Sequence, residues 1–170
     1  MFVKNNVRYE RCFFKLAFPL DPLLFPLPIE CSQEDMTNMT IHEFFKNDRY
    51  ALASGIELLE AEPGRARAKM EIRDMHLNAG NVTQGGAIFT LADFAFAVAV
   101  NACGSMAVSV ETSIRYFKSM SSGTLFAEAK VVNAHAKLAT YESRVTNEKE
   151  DLVALFTATA YRKDIRLPFA

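Results

Sequence analysis

Between residues 85 and 103 the chain is apolar at almost every position, dense in alanine, and interrupted only by Thr90, Asp93 and Asn101. A segment of this kind is expected to form a helix that is buried on every side. At about 1.5 Å of rise per residue it falls slightly short of a membrane span, and a carboxylate at its middle would be costly in lipid, so no membrane partner is expected. It must therefore be surrounded by protein. After Gly104 three long β-like stretches follow, at 106–117, 124–133 and 139–146, the last leading through a polar turn to 152–161; the turns SMSSG and NEKED separate them. The economical way to surround such a helix is a strongly curved antiparallel sheet wrapped around it, an α+β arrangement. One sheet layer covers only one side of a helix, so a second copy of the chain is the natural cover for what remains, and a homo-oligomer is expected.

The segments before the helix fit the same plan. Thr40 stands three residues before Glu43, the spacing of a capping box, and predicts a short helix to about residue 48. Residues 54–62 read as a strand, Pro63 and Gly64 as a turn. Ala66, Ala68, Met70 and Ile72 then alternate with Arg65, Arg67, Lys69, Glu71 and Arg73, which completes a half-buried hairpin. DMHLNAGNVTQ has no sustained periodicity and is rich in residues that tolerate unusual backbone angles, so it reads as a loop. With 170 residues and 50% hydrophobic composition the chain can bury one core, here assigned to a single domain over 40–165. Residues 1–39 mix basic and apolar residues with Pro19, Pro22, Pro26 and Pro28. They are expected to be a poorly ordered extension, with Met36 or Met39 as alternative starts. Asp21 and the prolines break the uninterrupted apolar run that a secretory signal needs.

Charge and cysteine usage exclude several classes of function. The net charge is −1, with 19 Lys and Arg scattered among 20 Asp and Glu, so no basic stripe is available for a nucleic acid. Three cysteines, Cys12, Cys31 and Cys103, form neither a CxxC pair nor a Cys/His ligand spacing. That pattern argues against a disulfide framework and a metal site and favours a reducing, cytoplasmic setting. His42, His76 and His135 likewise have no ligand-spaced neighbour.

Asp93 is the residue that needs explaining, because an ionised carboxylate in an apolar helix costs several kcal/mol unless it is paired, hydrogen-bonded or functional. Its helical neighbours at three and four positions are Phe89, Thr90, Phe96 and Ala97, so within the helix only the Thr90 hydroxyl is a possible partner. A structural use, bonded to a neighbouring strand, stands beside the functional one. Gln84, Gly85 and Gly86 open the same helix, and a helix N-terminus offers free N–H groups and a positive dipole end to a developing oxyanion. Asp93 lies seven residues beyond Gly86, about two turns along on nearly the same face, so one acyl group is expected to meet both.

The stretch HLNAGNVTQGGAIFTLADFAFAVA resembles the signature of PaaI-type hotdog thioesterases, in which a polar Asn or Gln precedes H-G-G and a catalytic Asp or Glu follows in L-A-[DE]. The similarity runs from about residue 44 to 163 and includes VSVETSIRYFKSMSSGTL. It implies a hotdog fold, one long helix wrapped by a curved antiparallel sheet, and hydrolysis of an acyl-CoA with a small, medium-chain or aromatic acyl group. It further implies Asp93 as general base or nucleophile, the Gly86 N–H as the group that polarises the thioester carbonyl, and Asn78 as the polar residue that positions the reacting groups. Gln84 replaces the family's usual His; it can donate a hydrogen bond but does not titrate near neutral pH. In the family the site is shared between subunits of a dimer or a dimer of dimers, the loop and helix start of one subunit facing the carboxylate of the other. Ser109 or Thr112 would border the water or the acyl group, and His135 and Lys137 would face the CoA nucleotide. Beside the resemblance, Gly85 lets a carbonyl approach closely, Phe89 helps to set the pocket depth, and His76 in the loop either lines the pocket or is solvated. No cofactor is implied, since a thioester is already activated and coenzyme A is part of the substrate.

Two other readings accompany the hydrolase. A hydroxyacyl-thioester dehydratase needs a His paired with a carboxylate, and the central helix carries no His. An acyl-CoA-binding protein without turnover is kept in view by Gln84.

Overall fold

The computed structural model describes residues 39–169, so the reading of the N-terminal extension falls, apart from Met39, outside the described residues. The first described element is α1 (Ile41–Phe45), whose capping box is complete: Thr40 Oγ1 accepts the Glu43 N–H at 3.2 Å and Glu43 Oε2 accepts the Thr40 N–H at 2.7 Å. The helix stops at Phe45, short of the expected end near residue 48. Asp48 instead starts a second helix, α2 (Arg49–Ala53), by accepting the Ala51 N–H at 3.0 Å, and a residue that caps one helix start has left the helical conformation of the previous one.

Six strands follow: β1 (Ile56–Glu62), β2 (Arg65–Glu71), β3 (Ser105–Tyr116), β4 (Thr124–Ala134), β5 (Leu138–Thr146) and β6 (Leu152–Arg166). The central helix α3 (Gly85–Asn101) lies between β2 and β3 in sequence. All neighbouring strands are antiparallel and form one sheet in the order β1-β2-β4-β5-β6-β3, which puts β1 and β3 at its edges. β6 continues to Arg166, beyond the expected end at residue 161, because Arg162 and Arg166 still pair with Ala107 and Ser105 of β3.

The sheet curls around α3 because its concave face is built from small side chains. Ala66 and Ala68 of β2, Ala127 and Ala129 of β4, and Ala154 and Ala160 of β6 are all fully buried, so the helix sits close to the strands. Larger groups fill the centre: Phe96 meets the Tyr141 ring edge-on at 5.5 Å, and Phe89 meets Phe156 at 5.3 Å. The convex face carries the alternating charges, with Arg65 bonded to Glu128 at 2.8 Å and Lys69 to Glu57 at 3.0 Å. Such exposed pairs add only about 0–1 kcal/mol each, and the buried face holds the sheet to the helix.

Among the described residues, helix α3 is not enclosed on every side. Leu91, Ala92, Ala95, Val98 and Ala99 are fully buried against the sheet, whereas Thr90, Asp93 and Ala97 are half-buried and Gly86 is exposed. These four positions are spaced by three or four residues and form one stripe along the helix, turned away from the sheet.

Candidate active site

The stripe begins at the helix start, where the backbone is prepared as a donor. Gln84 is the N-cap residue: its backbone carbonyl and its Oε1 both accept the Ala87 N–H, at 3.0 and 3.2 Å. Gly85 and Gly86 occupy the first two helical positions, so their N–H groups have no carbonyl one turn back to bond. They stand at the positive end of the helix dipole. A Cβ on Gly86 would lie 2.5 Å from Gln84 Oε1, so only glycine lets the Gln84 side chain fold over this turn. Two hydroxyls bind the carbonyls of the same residues, Thr90 Oγ1 donating to Gly86 O at 2.8 Å and Tyr116 Oη donating to Gly85 O at 2.9 Å.

The loop before the helix is closed by its own hydrogen bonds. Thr83 donates to Met120 O through both its N–H (2.7 Å) and its hydroxyl (2.8 Å), and Gln84 N–H reaches His76 O at 2.8 Å. Asn78 Oδ1 accepts the Gly80 N–H at 2.8 Å and the Val82 N–H at 3.4 Å, which holds the loop tip and leaves the Asn78 NH₂ as the end available to donate outward. His76 behaves otherwise than expected. It is buried at 3% exposure, its Nδ1 accepts the Arg73 N–H at 3.0 Å, and its Nε2 lies 3.0 Å from Ser54 O. With both ring nitrogens committed to backbone, His76 fastens the loop to the end of α2 and has no nitrogen left for a substrate.

Asp93 sits half-buried in the middle of the stripe. Burial pushes its carboxyl above the ordinary range, and the negative charge of Asp48 at the start of α2 pushes it in the same direction. Among the described residues no cation pairs with it and no hydrogen bond reaches it. Thr90, its one possible partner within the helix, donates to Gly86 O instead. A carboxylate in this state is a stronger base than an exposed one and is held without a structural partner.

The remaining candidates fall into two groups. Phe89 packs against Phe156 one turn into the helix. Ser109 and Thr112 pair with Ala160 and Ala158, the inward-facing residues of β6, because a bulge between Ser109 and Glu111 shifts the alternation by one. His135 and Lys137 stand at the opposite end. They flank the β4–β5 turn beside Arg162, near the C-terminus of α3, and the Lys137 ammonium is held by Asp164 at 2.5 Å. Within one chain the structure does not bring these two residues to Gly86. Nor do Gly86 and Asp93 reach a single carbonyl: seven residues of helix separate them by about 10 Å along the axis, whereas an oxyanion donor and a base must each lie about 3 Å from the groups they serve. No group of three or more His, Cys, Asp or Glu among the described residues is placed to hold a metal ion, and no helix among them is long and apolar enough to cross a membrane.

A single antiparallel sheet wrapped around one long helix, with an unpaired acid and a free helix start on the uncovered side, is the hotdog architecture. Residues 80–154 match the thioesterase superfamily. A relative in Archaeoglobus fulgidus, whose name marks it provisionally as an esterase, is 43% identical over 73% of this chain and 81% of its own length. The acyl-coenzyme A thioesterase PaaI of Escherichia coli is 33% identical over 71% of this chain and 87% of its own. The solved structure of E. coli PaaI superposes with a TM-score of 0.72 at 30% identity, covering 79% of this chain and 99% of that one. A Streptococcus mutans protein solved with acetyl CoA bound superposes at 0.63 with 28% identity, over 65% and 90%. The chain belongs to the thioesterase superfamily, in its PaaI-type hotdog branch, and is by class a thioester hydrolase.

Proposed function

We propose that the protein hydrolyses acyl-CoA thioesters in a site shared between two copies of the chain. The helix start and Asn78 loop come from one copy and Asp93 from the other. The observation that carries this reading is Asp93 itself, a half-buried, unpaired carboxylate with its proton affinity raised, on the helix stripe that the sheet leaves uncovered. The separation of about 10 Å from Gly86 in the same chain supports a second copy as the source of one half of the site. The uncovered stripe and the free edge of β3, where Val110 is 57% exposed, supply the surfaces for such a partner in a homodimer or dimer of dimers.

In this reading the thioester carbonyl oxygen accepts from the Gly86 N–H at the positive helix end, with the amide NH₂ groups of Asn78 and Gln84 as neighbouring donors. Asp93 takes a proton from a water molecule as the water oxygen bonds to the carbonyl carbon. The tetrahedral oxyanion collapses, the C–S bond breaks, and the proton held by Asp93 passes to the departing CoA sulfur. Direct attack by the Asp93 carboxylate, followed by hydrolysis of the anhydride, uses the same groups. Ser109, Thr112, Phe89 and Gly85 border the acyl group. The weak basicity of the thiolate leaving group makes a second strong acid unnecessary, so Gln84 in the place of a His is compatible with turnover. The acyl group is small, medium-chain or aromatic, and the reaction takes place in the cytoplasm without a cofactor.

Gln84 also favours a second reading, an acyl-CoA-binding protein without turnover, because its side chain cannot carry a proton near neutral pH. Incubation with short, medium-chain and aromatic acyl-CoAs separates the two. Thiol released at a rate proportional to enzyme supports hydrolysis; saturable binding of acyl-CoA with no thiol released contradicts it.

A further inference from the structure

We infer that Tyr116 is a positioning residue whose hydroxyl holds and polarises the peptide that presents the Gly86 N–H to the substrate. The inference deepens the thioesterase reading and rests on it.

Tyr116 is the last residue of β3, the edge strand, 31 positions after Gly85. Its ring lies directly on the Gly85 backbone: a Cβ there would come within 3.1 Å of both Cζ and Oη. The hydroxyl donates to Gly85 O at 2.9 Å. That oxygen and the Gly86 N–H belong to one planar peptide unit and point in opposite directions. A hydrogen bond accepted at the oxygen therefore fixes the direction of the N–H, and by drawing electron density toward the oxygen it makes the N–H a better donor.

The helix itself directs the Phe89 N–H to the Gly85 oxygen, so the Tyr116 hydroxyl is a second donor to that oxygen. The peptide joins two glycines, which lack the side chains that restrain backbone rotation, and it stands in the first turn of a helix, where N–H groups are not bonded within the helix. Thr90 performs the matching task one residue on, donating to Gly86 O at 2.8 Å. The Tyr116 hydroxyl has no other hydrogen-bond partner among the described residues. In the single chain the residue is 48% exposed, and the ring alone could cover the glycine. Partial burial raises the phenol above its ordinary range, so it remains a donor at any neutral or mildly alkaline pH.

The test is Tyr116→Phe in the full-length protein, which keeps the ring and removes only the donor. Wild type and variant are compared for acyl-CoA hydrolysis and, after selective ¹⁵N-glycine labelling of a chain with only 7 glycines, for the Gly86 amide resonance. Losing one hydrogen bond that acts through a peptide predicts a fall in kcat of about five- to tenfold. KM and melting temperature are expected to stay near wild type, with the Gly86 amide proton shifted upfield. A kcat equal to wild type, or a rise in KM alone, overturns the inference. So does a fall in kcat with the Gly86 resonance unmoved, since the loss then arises elsewhere. Wild-type protein that releases no thiol refutes the thioesterase reading instead. The Gly86 resonance then decides the inference alone: an upfield shift upholds the polarised donor at an acyl-CoA-binding site, and an unmoved one overturns it.

Discussion

A carboxylate is usually kept in an apolar setting by a partner that neutralises it, and Asp93 has none among the described residues. Its elevated proton affinity comes first from burial and second from Asp48, so the two causes can be separated by substitution. Asp48→Asn removes the charge but keeps a good cap for α2, because Asn and Asp are nearly equivalent at that position. A general base works only when ionised, so hydrolysis declines as pH falls through the pKa of Asp93. Removing a neighbouring negative charge lowers that pKa toward its ordinary value, and the acid limb of the kcat/KM profile is predicted to move to lower pH. An acid limb that stays in place contradicts a role for Asp48 in tuning Asp93. Asp93 was legible from sequence because a lone charge in an alanine-rich apolar run is conspicuous. The burial of His76 was not legible, because it depends on Arg73 and Ser54, and the second partner lies 22 residues away. Tyr116 gave no local signal at all, since it works by touching Gly85 across the fold.

Among the elements, the sheet and helix were readable to within a few residues because their periodicities are strong. β2 alternates charged and buried residues, and α3 interrupts its apolar run at only three positions. α2 was missed for a physical reason: five residues form little more than one turn, held by the Asp48 cap and by Ala51 packed into the core, and carry no periodic pattern. The small residues on the concave face set how closely the strands approach α3. Ala127, fully buried on β4 opposite Ala68 of β2, is the position to probe. Ala127→Leu is predicted to destabilise the fold by ~1–3 kcal/mol, read as a lower denaturant midpoint, because the added volume must push the helix away from the sheet. An unchanged midpoint would mean that the helix does not sit as tightly on the strands as the alanines imply.

For the whole molecule, one sheet cannot surround a helix, and among the described residues the stripe from Gly86 to Ala97 is left uncovered; a second copy of the chain is its proposed cover. The division of the site, helix start and loop from one copy and carboxylate from the other, is implied by the family resemblance and carried by no spacing within the sequence. Gly86 and Asp93 share one face of α3 but stand about 10 Å apart along its axis. A shared site predicts complementation. Asp93→Asn and Asn78→Ala proteins, each inactive alone, should recover about a quarter of wild-type activity when unfolded together and reassembled as random dimers, because half the dimers are mixed and each mixed dimer has one intact site. No recovery would mean that both groups act within one chain.

The account stands or falls on what Asp93 does, so the most direct measurement is thiol release from an acyl-CoA by the wild-type and Asp93→Asn proteins, with acyl-CoA binding measured on both. The predicted result is hydrolysis by wild type, a loss of at least ~10²-fold in kcat for Asp93→Asn, as expected for removal of a general base, and acyl-CoA affinity close to wild type in the variant. Hydrolysis by Asp93→Asn at the wild-type rate would contradict the assignment of the carboxylate as the group that drives the reaction.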